Sequence, residues 1–203
     1  MAACVGIAGG TASGKSTLAR ALAAHLDGAA IVIEHDWYYR DQSGVDLAAR
    51  PKVNYDHPDA LDTALLCNQL EALRAGLETD APQYDFTGHT RAAHTRRVTP
   101  HAVYIVEGIH VLGDPCLRAL CDVRVFVDVP ADVRFIRRLR RDTRERGRTV
   151  ESVIEQYLAT TRPMHEEFVA PARAWAHLLV TEDTPLHLAT ARIAHMLAGA
   201  PAP

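Results

Sequence analysis

The sequence predicts an α/β fold built on a parallel sheet flanked by helices. Three observations lead there. Five short apolar runs recur along the 203 residues, separated by stretches with helical spacing. The first run passes directly into a glycine-rich loop and a helix. Two of the runs end in an acid, which puts carboxylates where an open α/β sheet holds its ligand.

CVGIA (4–8) reads as a buried strand, and GKSTLARALAAHL (14–26) as a helix with Leu18, Leu22 and Leu26 at four-residue spacing. AAIVIEHD (29–36) is a second strand. HPDALDTALLCNQLEALRAG (57–76) reads as one helix, opened by Pro58 and stopped at Gly76. AVYIVEG (102–108), VRVFVDV (123–129) and AHLLVT (176–181) supply three more strands. Residues 131–162 read as two consecutive helices broken near Gly147, and TPLHLATARIAHMLAG (184–199) as a last helix. The APAP tail (200–203) reads as frayed. Residues 79–101 interrupt the alternation with turn formers, aromatics and histidines that have no helical period. An irregular excursion of that length is more often functional than idle. No internal repeat or low-complexity linker divides the chain, so one domain, 1–203, is expected.

Composition narrows the function. A formal net charge of −3 gives no global positive field for nucleic acid or a membrane surface. There are 20 arginines and only two lysines, so Lys15 inside the glycine loop stands out while arginine abundance by itself does not. Cys4, Cys67, Cys116 and Cys121 lack C-x-x-C spacing and read as reduced thiols packed as small hydrophobes. The histidines form no H-E-x-x-H or Cys/His pattern. No run reaches transmembrane length and no basic-then-apolar leader opens the chain, so the cytoplasm is the expected compartment.

The loop itself is specific. Gly9, Gly10, Thr11, Ala12, Ser13, Gly14, Lys15, Ser16 and Thr17 carry the pattern G-x-x-x-x-G-K-[ST] between a strand and a helix, the Walker A motif of a P-loop NTPase-type sheet. Its glycines let backbone N–H groups turn toward phosphate oxygens at a helix N-terminus. Lys15 would reach the β- and γ-phosphates, and Ser16 would offer its hydroxyl to Mg²⁺. Asp36 and Glu107 close two of the strands. One acid near the metal can organise its waters, and another can take a proton from an attacking hydroxyl. Either alone reads more readily as a cap or turn residue, but two converging on a phosphate site outweigh that reading.

The stretch RFIRRLRRDTRERGR (134–148) holds 8 of the arginines. It lacks the interleaved aromatics of a nucleic-acid binder. Roughly half of these arginines read as a solvated helix face with Asp142 and Glu145 as i,i+3 and i,i+4 partners. Arg134, Arg138 and Arg141 share one face, which suits an arginine lid that neutralises a transferring phosphoryl group, with Gly147 as its hinge.

GGTASGKST, HDWYY, NYDHPDALD, YDFTGHTR, VEGI, VFVDVPADVRFIRRLRRDTRERGR, IEQY and PMHEEFVAP occur in the order and spacing of the uridine/cytidine kinase family, over roughly residues 5–171. The chain resembles that family through blocks that are nearly diagnostic together. The resemblance implies transfer of the γ-phosphoryl of ATP, or of GTP as alternative donor, to the 5′-hydroxyl of uridine or cytidine in pyrimidine salvage, with Mg²⁺ as cofactor. It makes 79–101 a small nucleoside-binding β excursion and 131–162 the helical arginine lid with its following helix. It implies a nucleoside partner, no nucleic acid or membrane, and a homo-oligomer, by resemblance a tetramer.

Carried over residue by residue, Asp36 matches the general base for the 5′-hydroxyl and lies in the metal sphere with Ser16 and Glu107. Asp56 matches the acid that accepts from the ribose 2′- and 3′-hydroxyls, and Arg138 a second ribose contact. Tyr84 and His89 match residues reading the pyrimidine edge, with Phe86 and Tyr55 as aromatic walls. A neutral imidazole at His89 can present N–H or a bare nitrogen, which would let one pocket take uracil or cytosine. Arg148 and Gln156 match further nucleoside contacts, and Arg141 and Arg146 the phosphate-facing lid. The chain departs from the family pattern at Thr11, at Trp37 and Tyr38, and at WAHLLVTED, where His177 replaces an acid.

Two other readings fit the sequence less well. A P-loop kinase of another small alcohol, such as a pentose phosphate or a vitamin precursor, would share the loop and lid but not YDFTGHTR. A nucleotide-dependent switch would need N-K-x-D or T-K-x-D, and neither occurs.

Overall fold

The computed structural model describes residues 2–50 and 53–199, so the tail expected to fray at 200–203 lies outside the described residues. The chain runs β1 (Ala3–Gly9), α1 (Lys15–His25), β2 (Ala30–Glu34), α2 (Thr63–Arg74), β3 (Thr79–Ala81), β4 (Tyr84–Asp85), β5 (Thr90–Arg91), β6 (Arg96–Val98), β7 (Val103–Glu107), α3 (Pro115–Leu120), β8 (Val123–Asp128), α4 (Ala131–Glu145), α5 (Val150–Gln156), α6 (Arg162–Met164), β9 (Leu178–Thr181) and α7 (Leu186–Gly199).

All five apolar runs become strands of one parallel sheet, in the order β2-β7-β1-β8-β9. Such a sheet is covered on both faces, which is why its strands are apolar throughout rather than alternating. Successive residues of β1 still divide between the layers. Cys4 and Ala8 join the core of Leu66, Leu70, Leu112 and Leu117 under α2 and α3. Val5 and Ile7 join Leu18, Leu22 and Ile193 under α1 and α7. The register sets Glu107 beside both Ile7 and Glu34, so the acid ends β7 at the edge from which the glycine loop leaves β1.

The segment 57–76 is not one helix. Pro58 opens a separate 3₁₀ turn (Pro58–Ala60), Leu61 is extended and bridges Tyr39, and α2 starts only at Thr63. The Asp62 side chain accepts from Leu65 N at 3.3 Å and caps α2 there, so the start signal lies at Asp62 rather than Pro58. Gly76 does end the helix, at φ 85 just beyond the C-cap. Helix α3 has no counterpart in the sequence reading. It is six residues long, too short for a period, and begins with Pro115 behind an Asp114 cap.

The excursion forms two short antiparallel ribbons, β3 with β6 and β4 with β5. The break near Gly147 separates α4 from α5, and Gly147 takes φ 63. From α5 the chain stays helical to residue 175, through π turns at Tyr157–Thr161 and His165–Val169. Three cysteines are buried as expected, but Cys116 on α3 is exposed. Among the described residues no helix is long and apolar enough to cross a membrane.

Candidate active site

Helix α1 starts with Gly14 at φ 103 as N-cap, with no side-chain cap and no acid in its first turn. Its leading N–H groups are therefore left for an external anion. The loop before it is held tightly. A Cβ on Gly9 would lie 2.5 Å from Val127 O, and one on Gly10 would lie 2.4 Å from Arg134 Nη1. Buried Lys15 folds back so that Nζ donates to Gly10 O at 3.0 Å. Burial lowers its pKa, against the opposing pull of Glu107 and Asp36.

Ser16 Oγ donates to Glu107 Oε1 at 2.6 Å. Asp36 stands on the 3₁₀ turn after β2 (His35–Tyr38). Burial, and then the neighbouring Glu107, push its carboxyl up to about 7, and Lys15 offsets this only in part. A hydroxyl and two crowded carboxylates beside one lysine form a hard oxygen donor set short of positive charge, which suits a divalent cation.

Two cavities meet at Asp36. One, of about 700 Å³, is lined by residues 11–18, Glu107, Arg137, Arg141, Arg146 and the turn after β9. The other, of about 750 Å³, brings together all eight residues expected to contact a nucleoside: Tyr55, Asp56, Tyr84, Phe86, His89, Arg138, Arg148 and Gln156. Arg141 and Arg146 border both cavities.

The aromatic wall is a connected cluster. Tyr39 packs on Tyr55 and Tyr84 with centroids 5.4 and 5.1 Å apart, Tyr84 on Phe86 at 5.2 Å, and His89 stacks on Tyr55 at 5.8 Å. His89 takes φ 49. Tyr84 lines the cavity, and its buried hydroxyl has no hydrogen-bond partner among the described residues.

The arginine helix differs from its expected solvated half. Asp142 is fully buried, not a surface partner. Its oxygens lie 2.8 Å from Arg141 Nε, 3.5 Å from Arg138 Nε and 3.5 Å from Arg146 Nη1, so one carboxylate gathers three of the arginines that border the nucleoside cavity. Arg138 Nη2 also donates to Gln156 Oε1 at 2.8 Å, and Arg148 Nη1 donates to the same oxygen. Glu145, the other expected partner, lines the cavity instead.

Sequence reasoning missed Tyr39, Ile109 and Thr87 on the cavity wall and Arg137 on the other cavity, where it pairs with Glu182 at 2.9 Å. In HDWYY nothing marks which aromatic faces inward. The 3₁₀ turn sends Tyr38 to Gln69 Oε1 at 2.7 Å and puts Trp37 under Arg96, so the two departures flanking Asp36 point away from the cavities. His177 accepts from Arg124 N at the sheet edge, and Thr181, Glu182 and Thr184 line the loop-side cavity in its place.

A phosphate loop at the end of a parallel sheet, opening through one carboxylate into a second cavity for an acceptor, makes this molecule a P-loop kinase, an enzyme that draws its phosphoryl group from a nucleotide. The model of the phosphoribulokinase/uridine kinase family matches residues 4–185, and the chain belongs to that family. It is 51% identical over 176 residues to a uridine kinase of Chloroflexus aurantiacus, covering 86% of this chain and 84% of that one. It is 48% identical over 198 residues to a uridine kinase of Clostridium botulinum, covering 95% and 96%. Among solved structures, phosphoribulokinase from Rhodobacter spheroides superposes with a TM-score of 0.67 at 15% identity, over 89% of this chain and 70% of that one, a likeness of fold.

Proposed function

We infer that the protein transfers the γ-phosphoryl group of ATP to the 5′-hydroxyl of uridine and cytidine, giving UMP and CMP for pyrimidine salvage. The observation that carries this reading is the cavity at Asp36, where Tyr55, Asp56, Tyr84, Phe86, His89, Arg138, Arg148 and Gln156 converge from four separate stretches of chain. The uridine kinases it resembles across most of their length support the same acceptor.

The chemistry follows from the groups present. The nucleoside lies against the tyrosine cluster, with its 5′-hydroxyl toward Asp36, which accepts the proton as the oxygen attacks in line. In the metal-free site burial and Glu107 raise this carboxyl to about 7, and a bound cation would lower it, leaving the carboxylate ionised to take the proton. Lys15, Arg141 and Arg146 meet the charge on the phosphoryl oxygens. Ser16, Asp36 and Glu107 fit Mg²⁺ and would hold it; when bound it neutralises charge on the transferring group. Helix α4 covers the junction of the two cavities and keeps water from competing with the acceptor. The reading places the enzyme in the cytoplasm as a homotetramer, with GTP as a second donor to be tested beside ATP.

The test is ADP release with Mg·ATP across uridine, cytidine, their 2′-deoxy forms, thymidine, adenosine, a pentose phosphate and pantothenate. Turnover confined to uridine and cytidine is expected. Turnover only with a non-nucleoside alcohol, or with none of the panel, would overturn the reading.

A further inference from the structure

Asp56 is fixed from every side. Its N–H donates to Asn54 Oδ1 at 3.2 Å, and its carbonyl oxygen accepts from His110 Nε2 at 2.9 Å. Its carboxylate Oδ2 accepts from Thr161 Oγ1 at 2.9 Å and, more distantly, from Thr160 Oγ1 at 3.4 Å. Oδ1 has no hydrogen-bond partner among the described residues, and Asp56 borders the nucleoside cavity.

The two threonines come from far along the chain, at the end of the π turn Tyr157–Thr161 that continues α5. A π turn adds a residue to the helical repeat and re-aims the side chains that follow, and such turns are frequent at functional sites. Thr161 is buried, and Asp56 is the only acceptor its hydroxyl has among the described residues. Thr160 divides its hydroxyl between Asp56 and Gln156 O, at 3.1 Å from the latter. The same turn of helix carries Gln156, the acceptor of Arg138 and Arg148.

A carboxylate has about four acceptor sites on its two oxygens. Thr161 fills one on Oδ2 and Thr160, shared with Gln156 O, stands over the other, which leaves the two on Oδ1. A vicinal diol supplies two donors and fills them. A sugar with a single hydroxyl there leaves one buried acceptor site empty, the situation in which a site built for a hydroxyl rejects the analogue lacking it. That count holds only while the carboxylate is kept from rotating, because the terminal torsion of an aspartate is soft.

We propose that Thr161, with Thr160 beside it, is the positioning residue that pins the Asp56 carboxylate and thereby sets selection of ribonucleosides over 2′-deoxyribonucleosides. The proposal rests on the nucleoside-kinase reading. Thr161 acts through Asp56 and touches neither the phosphoryl group nor the base.

The experiment measures kcat and KM for uridine and 2′-deoxyuridine in wild type, Thr161→Val, Thr161→Ser and Asp56→Ala, and in the double variant Asp56→Ala/Thr161→Val. Valine keeps the shape and removes the donor. The expected result is a KM for uridine about tenfold higher in Thr161→Val with kcat nearly unchanged, the usual worth of a hydrogen bond to a charged group. The ratio of kcat/KM for uridine to that for 2′-deoxyuridine falls by about fivefold or more, Thr161→Ser restores it, and Thr161→Val adds nothing once Asp56 is alanine. Thr161→Ala, smaller and free of any clash, must move the ratio the same way if the valine variant does not fold. Equal losses on both nucleosides, or a serine variant that fails to restore the ratio, would overturn the proposal while leaving the kinase reading intact. A wild type silent with both nucleosides would overturn the reading beneath it.

Discussion

Replacing Asp36 by asparagine should cripple the enzyme and stabilise the protein at the same time. The carboxyl rises from an ordinary 3.8 to about 7 because burial and Glu107 both oppose its charge. A group whose pKa is raised on folding binds its proton more tightly when folded. The stability it contributes is fully present below about 4 and is lost as pH rises through about 7. The rise corresponds to a ceiling of about 4 kcal/mol at pH 8. Solvent reaching the half-buried carboxylate, and its coupling to Glu107, reduce this to on the order of 1–2 kcal/mol. An asparagine at this position carries no charge to desolvate. Without nucleotide or metal, Asp36→Asn should therefore melt about 2–8 °C above wild type at pH 8. The gap should shrink by more than half at pH 5, where wild type is largely protonated. Millimolar Mg²⁺ should stabilise wild type more than the variant. Turnover should fall by ~10²-fold or more, with nucleotide binding retained. Differential scanning fluorimetry across pH, paired with single-turnover kinetics, reads both effects. A variant that melts at or below wild type with no pH dependence would refute the strained carboxylate, and retained activity would refute its role as base.

Two further outcomes follow from the loop. Gly9→Ala puts a Cβ 2.5 Å from a backbone oxygen at φ 142 and should abolish nucleotide binding, whereas Gly14→Ala has open space around it and only its φ of 103 to bear, about 1–2 kcal/mol or roughly a tenfold loss of ATP affinity by titration calorimetry. Arg134 is buried under Gly10 with Val129 O and His165 Nε2 as partners and, among the described residues, no carboxylate within ion-pair distance, so Arg134→Met should raise the melting temperature of the free protein by a few degrees yet shrink the shift produced by ATP; a lower melting temperature with an undiminished ATP shift would contradict this.

The five sheet strands were legible because strands buried on both faces leave uninterrupted apolar runs, and the phosphate loop because its spacing is dictated by backbone geometry around phosphate. The nucleoside cavity was legible only by resemblance. Tyr55, Tyr84 and His89 meet because two tiny ribbons and the segment after β2 fold over one another, and strands of two or three residues carry no period. Pro58 misled for a definite reason: Leu61 bridges to Tyr39, and that tertiary contact separates the turn at Pro58 from the helix that Asp62 caps. The π turn that delivers Thr161 to Asp56 has no signature in residue type.

Asp142 is the most instructive misreading. Within a helix so rich in arginine, an acid three or four residues from several of them has the spacing of a solvated ion pair, and nothing in the sequence opposes that reading. Yet a surface network would leave Arg138 and Arg141 free to pair outward with water. Burying the acid reverses the direction of the pull: Arg138, Arg141 and Arg146 are drawn inward against one carboxylate, across the wall shared with Asp36 and Asp56. Taking such charges out of water is expensive and is seldom recovered as stability. Of the three, Arg141 and Arg146 also border the cavity beside the glycine loop and keep side-chain exposures of 31% and 53%, so Asp142 holds two partly solvated guanidinium groups between the two cavities, where the proposed transfer would need positive charge. Electrostatic preorganisation of that kind is usually the largest single contribution to phosphoryl transfer, alongside positioning. Under the proposed transfer, burying Asp142 in the helix that looks most like surface in the sequence would exchange stability for the orientation of these arginines.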